Sequence, residues 1–208
     1  MKRKILPLLV ATTNAGKARE IAAALGDSRI RILTLAGLQI AAEYPEMGST
    51  FAANARGKAV FYSRRSGRLT LAEDSGLAVD VLAGAPGVLS ARYSGPRASD
   101  EKNNRKLLLR LRGVPPEKRG ARFVCCMVLA YRRRVIKQVT GSVRGLILAA
   151  GRGESGFGYD PLFFYYPLGR SFGELRPEIK NCVSHRGRAL RKMAAYLEAN
   201  LRFFDFRE

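Results

Sequence analysis

Four short stretches of this 208-residue chain carry side chains able to do chemistry. The first is AEDSG, residues 72–76, where Glu73 and Asp74 stand side by side in a chain that has 17 acidic residues against 37 Lys and Arg. Hard cations such as Mg²⁺ bind through one or two carboxylates together with the phosphates of a bound molecule. An apolar run ending in Glu73-Asp74 and followed by Ser75-Gly76 would put a carboxylate at a strand end, where α/β sheets bind ligands. Neighbouring strand residues point to opposite faces, so one carboxylate can meet a cation while the other supports it from behind. Taken alone, such a stretch is more commonly the polar start of a loop.

The second stretch is TTNAGK, residues 12–17, lying between an apolar run and a helix-periodic one. The N–H groups of a helix start attract phosphate, and Lys17 adds charge beside them. The spacing is not that of a Walker A loop, and any turn can hold Thr, Asn and Gly. The third is SGFGYDPLFF, residues 155–164. Phe157 could stack on a nucleobase, and Asp160, preceding Pro161, is expected to be extended. On composition the plainer reading is a Gly-Pro turn with its aromatics in the core. The fourth is SHRGRALRKM, residues 184–193. It holds the chain's one histidine, His185, and next to it Arg186, in a first helical turn whose dipole disfavours a cation. That mismatch points to recognition of an anion or a carbonyl; a surface histidine without a role is the alternative.

The elements that must position these residues follow from periodicity. Residues 5–11 read as a strand, and the helix after TTNAGK stops at Gly26. Residues 31–35 read as a strand, and 51–62 as a helix capped by Ser49 or Thr50. A short strand covers 69–72, and a Gly-, Ala- and Pro-rich strand and ordered loop follow it. Residues 100–112 form a helix closed by Gly113 and Pro115-Pro116. A hairpin joins 121–131 to 135–143 around Arg132-Arg133-Arg134, which reads as a solvated turn. A glycine-rich loop covers 151–161, a strand 162–166, and a final helix capped by Ser184 runs to about Leu201. Helices alternating with strands, followed by a hairpin, predict a mixed β-sheet flanked by helices in one α/β domain over residues 1–208.

Composition narrows the function. No apolar run reaches membrane-spanning length, so no membrane association is expected. The N-terminal MKRKILPLLVA reads as a basic tip leading into a buried strand rather than as a secretion signal, because its apolar part is seven residues long. Cys125, Cys126 and Cys182 form neither a disulfide framework nor a metal-ligand spacing, which fits a reducing, cytoplasmic setting. The net charge of +20 predicts attraction to anions, whether nucleic acid, phosphorylated metabolites or anionic surfaces, unless it is only a solvated basic surface.

Together the four stretches, in order and with GAPGVLSARYSG between them, resemble the inosine triphosphate pyrophosphatase family over nearly the whole chain. The resemblance implies an elongated mixed-sheet fold of two lobes with a central substrate cleft, and a homodimer. It also implies Mg²⁺-dependent hydrolysis of ITP, dITP and XTP to the monophosphate and pyrophosphate, cleansing the nucleotide pool. Thr12, Thr13, Asn14, Ala15, Gly16 and Lys17 match the family's phosphate-binding stretch. Asp74 matches its proton acceptor and metal site, Glu46 a second acidic metal-site residue, and Ser75 a substrate contact. Phe157, Gly158, Tyr159 and Asp160 match the segment that holds the nucleoside, and Lys180, His185 and Arg186 match residues that contact substrate at the base. The family often has Gly where Thr13 stands, so Thr13 is strained if that position needs a positive φ. It often has Glu where Ala53 stands, and Asp where Glu73 stands. The competing expectation is a basic nucleic-acid-binding protein on the same fold with little hydrolase activity. The net charge supports that reading, but nucleic acid is not the partner expected.

Overall fold

The computed structural model describes residues 5–25 and 29–204. The basic N-terminal tip and the stop at Gly26 lie outside the described residues. The elements run β1 (Leu6–Val10), α1 (Ala15–Leu25), β2 (Ile30–Thr34), α2 (Phe51–Ser66), β3 (Leu69–Val79) and α3 (Asp100–Arg110). They continue with β4 (Gly120–Tyr131), β5 (Arg134–Ile147), β6 (Phe163–Tyr165), β7 (Arg170–Ser171), α4 (Pro177–Val183) and α5 (His185–Asn200). Among the described residues the strands form one open mixed sheet in the order β2-β1-β3-β4-β5-β6-β7, as the alternation in the sequence predicts. No described helix is long and apolar enough to cross a membrane.

The chain divides into two compact units, neither of them contiguous in sequence. One comprises residues 1–74, 126–140 and 187–208; the other comprises 75–125 and 141–186. In the first unit β1 pairs in parallel with β2 and with β3, with Leu8 opposite Ile32 on one side and Leu69 on the other. A parallel strand is covered on both faces, which is why β1 is a nearly unbroken apolar run. Helix α2 buries Ala55, Ala59 and Tyr62 at i, i+4 and i+7, in one cluster with Leu9, Ala72, Cys126 and Val128. The hydroxyl of Thr50 caps α2 by accepting from Ala53 N, and Gly67, at φ +63°, ends it.

The second unit has its own core. The Phe163 ring packs on Phe123 and on Phe172, with centroids 4.7 and 4.9 Å away, and Leu107 and Leu111 reach the same cluster from α3 and the residue after it. Strands β5, β6 and β7 are antiparallel here, with Leu146 opposite Phe164 and Phe164 opposite Ser171. A Cβ at Gly145 would overlap the Phe164 carbonyl, so the pairing needs glycine there.

Several elements differ from the sequence reading. Strand β3 does not end at Ala72 but runs on to Val79, through Glu73, Asp74 and Ser75. Each of these polar side chains has a protein partner (given below), so the strand can continue through a buried polar stretch. Helix α2 continues to Ser66 rather than stopping at Tyr62, because Gly67 is the first residue in the left-handed conformation. The arginine triplet is not wholly turn: Arg134 opens β5, and Arg132, at φ +55°, takes the bend with its N–H donated to Ser63 Oγ at 2.7 Å. The short helix α4 was not predicted. Asp160 is not extended: Leu162 N and Phe163 N both donate to Tyr159 O, so residues 159–163 wind into a turn. Contacts of the buried Asp160 carboxylate outweigh the pre-proline preference.

Candidate active site

In the first unit, β1 delivers the chain into TTNAGK, and α1 starts at Ala15. Thr12 Oγ1 accepts from Asn14 N (3.2 Å), and Asn14 Oδ1 accepts from Lys17 N (2.9 Å). Asn14 is therefore the cap, and the first intrahelical bond is Ala18 N to Asn14 O. The amides of Ala15 and Gly16 belong to the first turn, whose N–H groups have no intrahelical acceptor. N–H groups at such a position attract anions. Thr13 is not among the described non-glycine residues with positive φ, so it carries no left-handed strain.

The two carboxylates of β3 go to different helices. Glu73, fully buried, pairs with Lys17 of α1 at 2.5 Å. Asp74, also buried, accepts from Asn54 Nδ2 of α2 at 2.9 Å, and Asn54 Oδ1 accepts from Gly48 N at 2.8 Å. Alternation along a strand accounts for the divergence. Asn54 thus fastens the loop before α2 to Asp74. That loop carries Glu46, which pairs with Lys58 of α2. Lys58 Nζ also donates to the carbonyl of Glu73 at 3.2 Å. The loop is fitted closely to α2: Tyr44 N donates to Tyr62 Oη, and a Cβ at Gly57 would overlap the Tyr44 hydroxyl.

The electrostatics follow from this packing. Burial is the main cause that lifts the Asp74 carboxyl from 3.8 to about 6, and the Glu46 charge lifts it further; Asn54, Lys58 and Lys17 oppose the rise. Burial pulls Lys58 down, but Glu46 and the two carboxylates of β3 outweigh it, and its ammonium ends above the ordinary value. A buried carboxyl raised in part by a neighbouring carboxylate offers, with that neighbour, hard oxygen ligands whose repulsion a divalent cation would relieve. The described residues contain no group of three or more His, Cys, Asp or Glu arranged to hold a metal ion. A pair of carboxylates completed by phosphate oxygens is the donor set Mg²⁺ prefers, so the residues fit such an ion.

In the second unit, SGFGYDPLFF makes a tight loop. Asp160 Oδ2 accepts from Phe157 N (2.9 Å) and from Lys180 Nζ of α4 (2.6 Å), with both side chains of that ion pair buried. Gly156, at φ +83°, lies so close to this carboxylate that a Cβ would overlap it. Tyr159 is buried, with its hydroxyl donated to Ser90 O, and burial raises its phenol well above the ordinary range. Tyr159 and Asp160 therefore anchor the loop, while Phe157 is half-buried at its tip. Lys180 Nζ lies 4.6 Å and Arg186 Cζ 5.4 Å from the Phe157 ring centroid. Arg186, 2% exposed, donates to Ser75 Oγ at 2.9 Å. His185 is not on the surface: it is 4% exposed and stacks on Phe123, with centroids 4.6 Å apart and planes 9° from parallel.

The sequence-predicted residues thus form two sets. Thr12 to Lys17, Glu46 and Asp74 lie in the first unit, and Ser75, residues 157–160, Lys180, His185 and Arg186 in the second. Sequence reasoning missed Lys58 as a site residue. Its position four residues after Asn54 on one helix face was the available signal.

Comparison with known proteins bears on the family and the fold. Residues 8–196 match the model of the Ham1 family. The chain is 47% identical over 186 residues to a dITP/XTP pyrophosphatase of Geobacillus kaustophilus, covering 89% of this chain and 91% of that protein. It is 48% identical over 190 residues to a dITP/XTP pyrophosphatase of Geobacter sulfurreducens, covering 91% and 96%. The fold matches the structure of a HAM1 protein from Coxiella burnetii with a TM-score of 0.86 at 34% identity, covering 94% of this chain and all of that one. The resemblance drawn from the four sequence stretches is borne out, and the chain belongs to the Ham1 family.

Proposed function

We propose that the protein is a nucleoside-triphosphate pyrophosphatase that hydrolyses ITP, dITP and XTP to the monophosphate and pyrophosphate. The observation that carries this reading is Asp74: a buried carboxylate lifted toward neutral pH, fixed by Asn54, next to a second acid and two lysines. The names of the relatives, dITP/XTP pyrophosphatases, support the same substrate class. Mg²⁺ as the cation, a homodimer and a cytoplasmic setting belong to the proposal through the family resemblance.

The Ala15 and Gly16 amides, with Lys17 and Lys58, would hold phosphate oxygens by charge and hydrogen bonding. Asp74 and Glu46 would hold Mg²⁺, which when bound neutralises phosphate charge. Ionised Asp74 would orient the attacking water and take its proton. The pyrophosphate leaves with the electron pair of the broken P–O bond. A carboxyl with a pKa near 6 is better matched to this task at neutral pH than an ordinary one. Phosphoryl chemistry needs mainly positioning and charge neutralisation, so this small set suffices.

Phe157 would stack on the base, and Lys180, His185 and Arg186 would face its 6-keto oxygen. Adenine presents an amino group there and leaves those donors unmatched. A pyrophosphate-release panel over ITP, XTP, dITP, GTP and ATP, with and without Mg²⁺, tests the reading. ITP, dITP and XTP should exceed ATP in kcat/KM by about 10²-fold or more, and only with the metal. Equal values for ITP and ATP would remove the base-recognition part. No hydrolysis, together with DNA binding that falls steeply with salt, would favour a nucleic-acid-binding protein instead.

A further inference from the structure

Helix α3 starts behind its Ser99 cap with Asp100, and Asp100, Asn103 and Asn104 share one face at i, i+3 and i+4. Asp100 Oδ2 accepts from Gly158 N at 2.6 Å, and Asn104 Nδ2 donates to Gly158 O at 3.0 Å. One residue is thus gripped at both its N–H and its carbonyl by two side chains a single turn apart. Gly158 is left-handed, at φ +64°, and a Cβ there would meet nothing within 4 Å. Glycine is needed for that backbone angle, not for space.

The same face steadies the neighbouring loop. Asn103, 2% exposed, accepts from Ser94 N (2.8 Å) and donates to the carbonyls of Ser90 (3.3 Å) and Ala91 (3.2 Å). Tyr159 Oη donates to the same Ser90 carbonyl. Phe157 N is bound by Asp160 on one side, and the next residue is bound by α3 on the other. The backbone that carries the Phe157 ring is therefore held from both ends of a two-residue segment.

We propose that Asp100 and Asn104 are positioning residues for nucleobase recognition, acting through Gly158 to hold Phe157 in its stacking orientation. The inference rests on the base-stacking reading given above. Calorimetric titration with inosine monophosphate and with inorganic tripolyphosphate separates the two. In the Asn104→Ala and Asp100→Ala proteins, inosine monophosphate should bind about tenfold more weakly, the loss expected for one hydrogen bond. Tripolyphosphate affinity should stay at the parental value, and Tm should fall by no more than the few degrees that one hydrogen bond is worth. Asp100→Asn, which keeps an acceptor for Gly158 N, should bind inosine monophosphate within about threefold of the parent.

If the parent fails to bind inosine monophosphate, or Phe157→Ala leaves its affinity unchanged, the base-stacking reading falls and this inference with it. If Phe157→Ala weakens binding while Asn104→Ala and Asp100→Ala stay within about twofold, the positioning role alone is overturned. Equal losses for tripolyphosphate and inosine monophosphate would reduce the two residues to general structural supports.

Discussion

An Asp74→Asn protein should fold, bind nucleoside triphosphate and turn it over about 10³-fold more slowly than the parent, as expected for removal of a general base. The amide is isosteric, and its Oδ1 can still accept from Asn54 Nδ2, so the link to Gly48 and the Glu46 loop survives. What disappears is the charge that would take the water's proton and share the cation with Glu46. Stability separates this loss from misfolding. Burial and Glu46 raise the Asp74 carboxyl from 3.8 to about 6, so its ionisation works against the fold. The stabilisation that protonation supplies is complete below pH 3.8 and gone above about 6. In the metal-free parent, ionisation therefore costs about 3 kcal/mol at neutral pH, which Asn does not incur. Without metal, Asp74→Asn should melt above the parent at pH 7.5, by a margin that shrinks to about half at pH 5. Parental turnover would remove Asp74 from the mechanism. A lower Tm at pH 7.5 would mean that the variant's inactivity reflects damage rather than chemistry.

Much of this site could be read from the sequence, but its wiring could not. The cap chemistry of Thr50 places the start of α2 from a local signal alone, because its hydroxyl bonds the amide three residues on. Glu73, Asp74 and Ser75 read as the end of a strand because nothing local shows where their partners are. Those partners, Lys17, Asn54 and Arg186, lie 56, 20 and 111 residues away and turn a polar stretch into strand interior. Lys58 was passed over for the same reason: its spacing from Asn54 is a weak signal among 37 basic residues until its two acceptors, the Glu46 carboxylate and the Glu73 carbonyl, are seen together. His185 is the reverse case. Its singularity drew notice, but burial against Phe123 depends on a strand and a helix start that periodicity cannot bring together.

The second large effect is on stability and lies in the base-facing unit. Replacing Lys180 by Met should cost about 3–5 kcal/mol, the range for removing one partner of a buried ion pair, and lower Tm by roughly 10 °C in a chain of this size. Both side chains are within 4% of full burial, and the replacement leaves the Asp160 carboxyl without its cation in a site where Gly156 packs against it. Met matches the aliphatic length of Lys, so packing is largely kept and the loss is that of the ammonium. Asp160 also fixes Phe157 N, while its carbonyl accepts from Gly173 N at 2.9 Å. The damage should therefore spread to Phe157 and weaken inosine monophosphate binding along with the fold. The double replacement Asp160→Asn with Lys180→Met removes both charges and leaves an amide oxygen for Phe157 N. It should recover more than half of the lost stability, because the cost comes mainly from the carboxylate left in a dry site rather than from the attraction itself. A Lys180→Met protein melting within about 2 °C of the parent would show that water reaches Asp160 and that the pair does not hold the loop. If the double replacement is no more stable than the single, the loss lies in Lys180's contact with the Phe157 ring, 4.6 Å away, and not in its charge pairing.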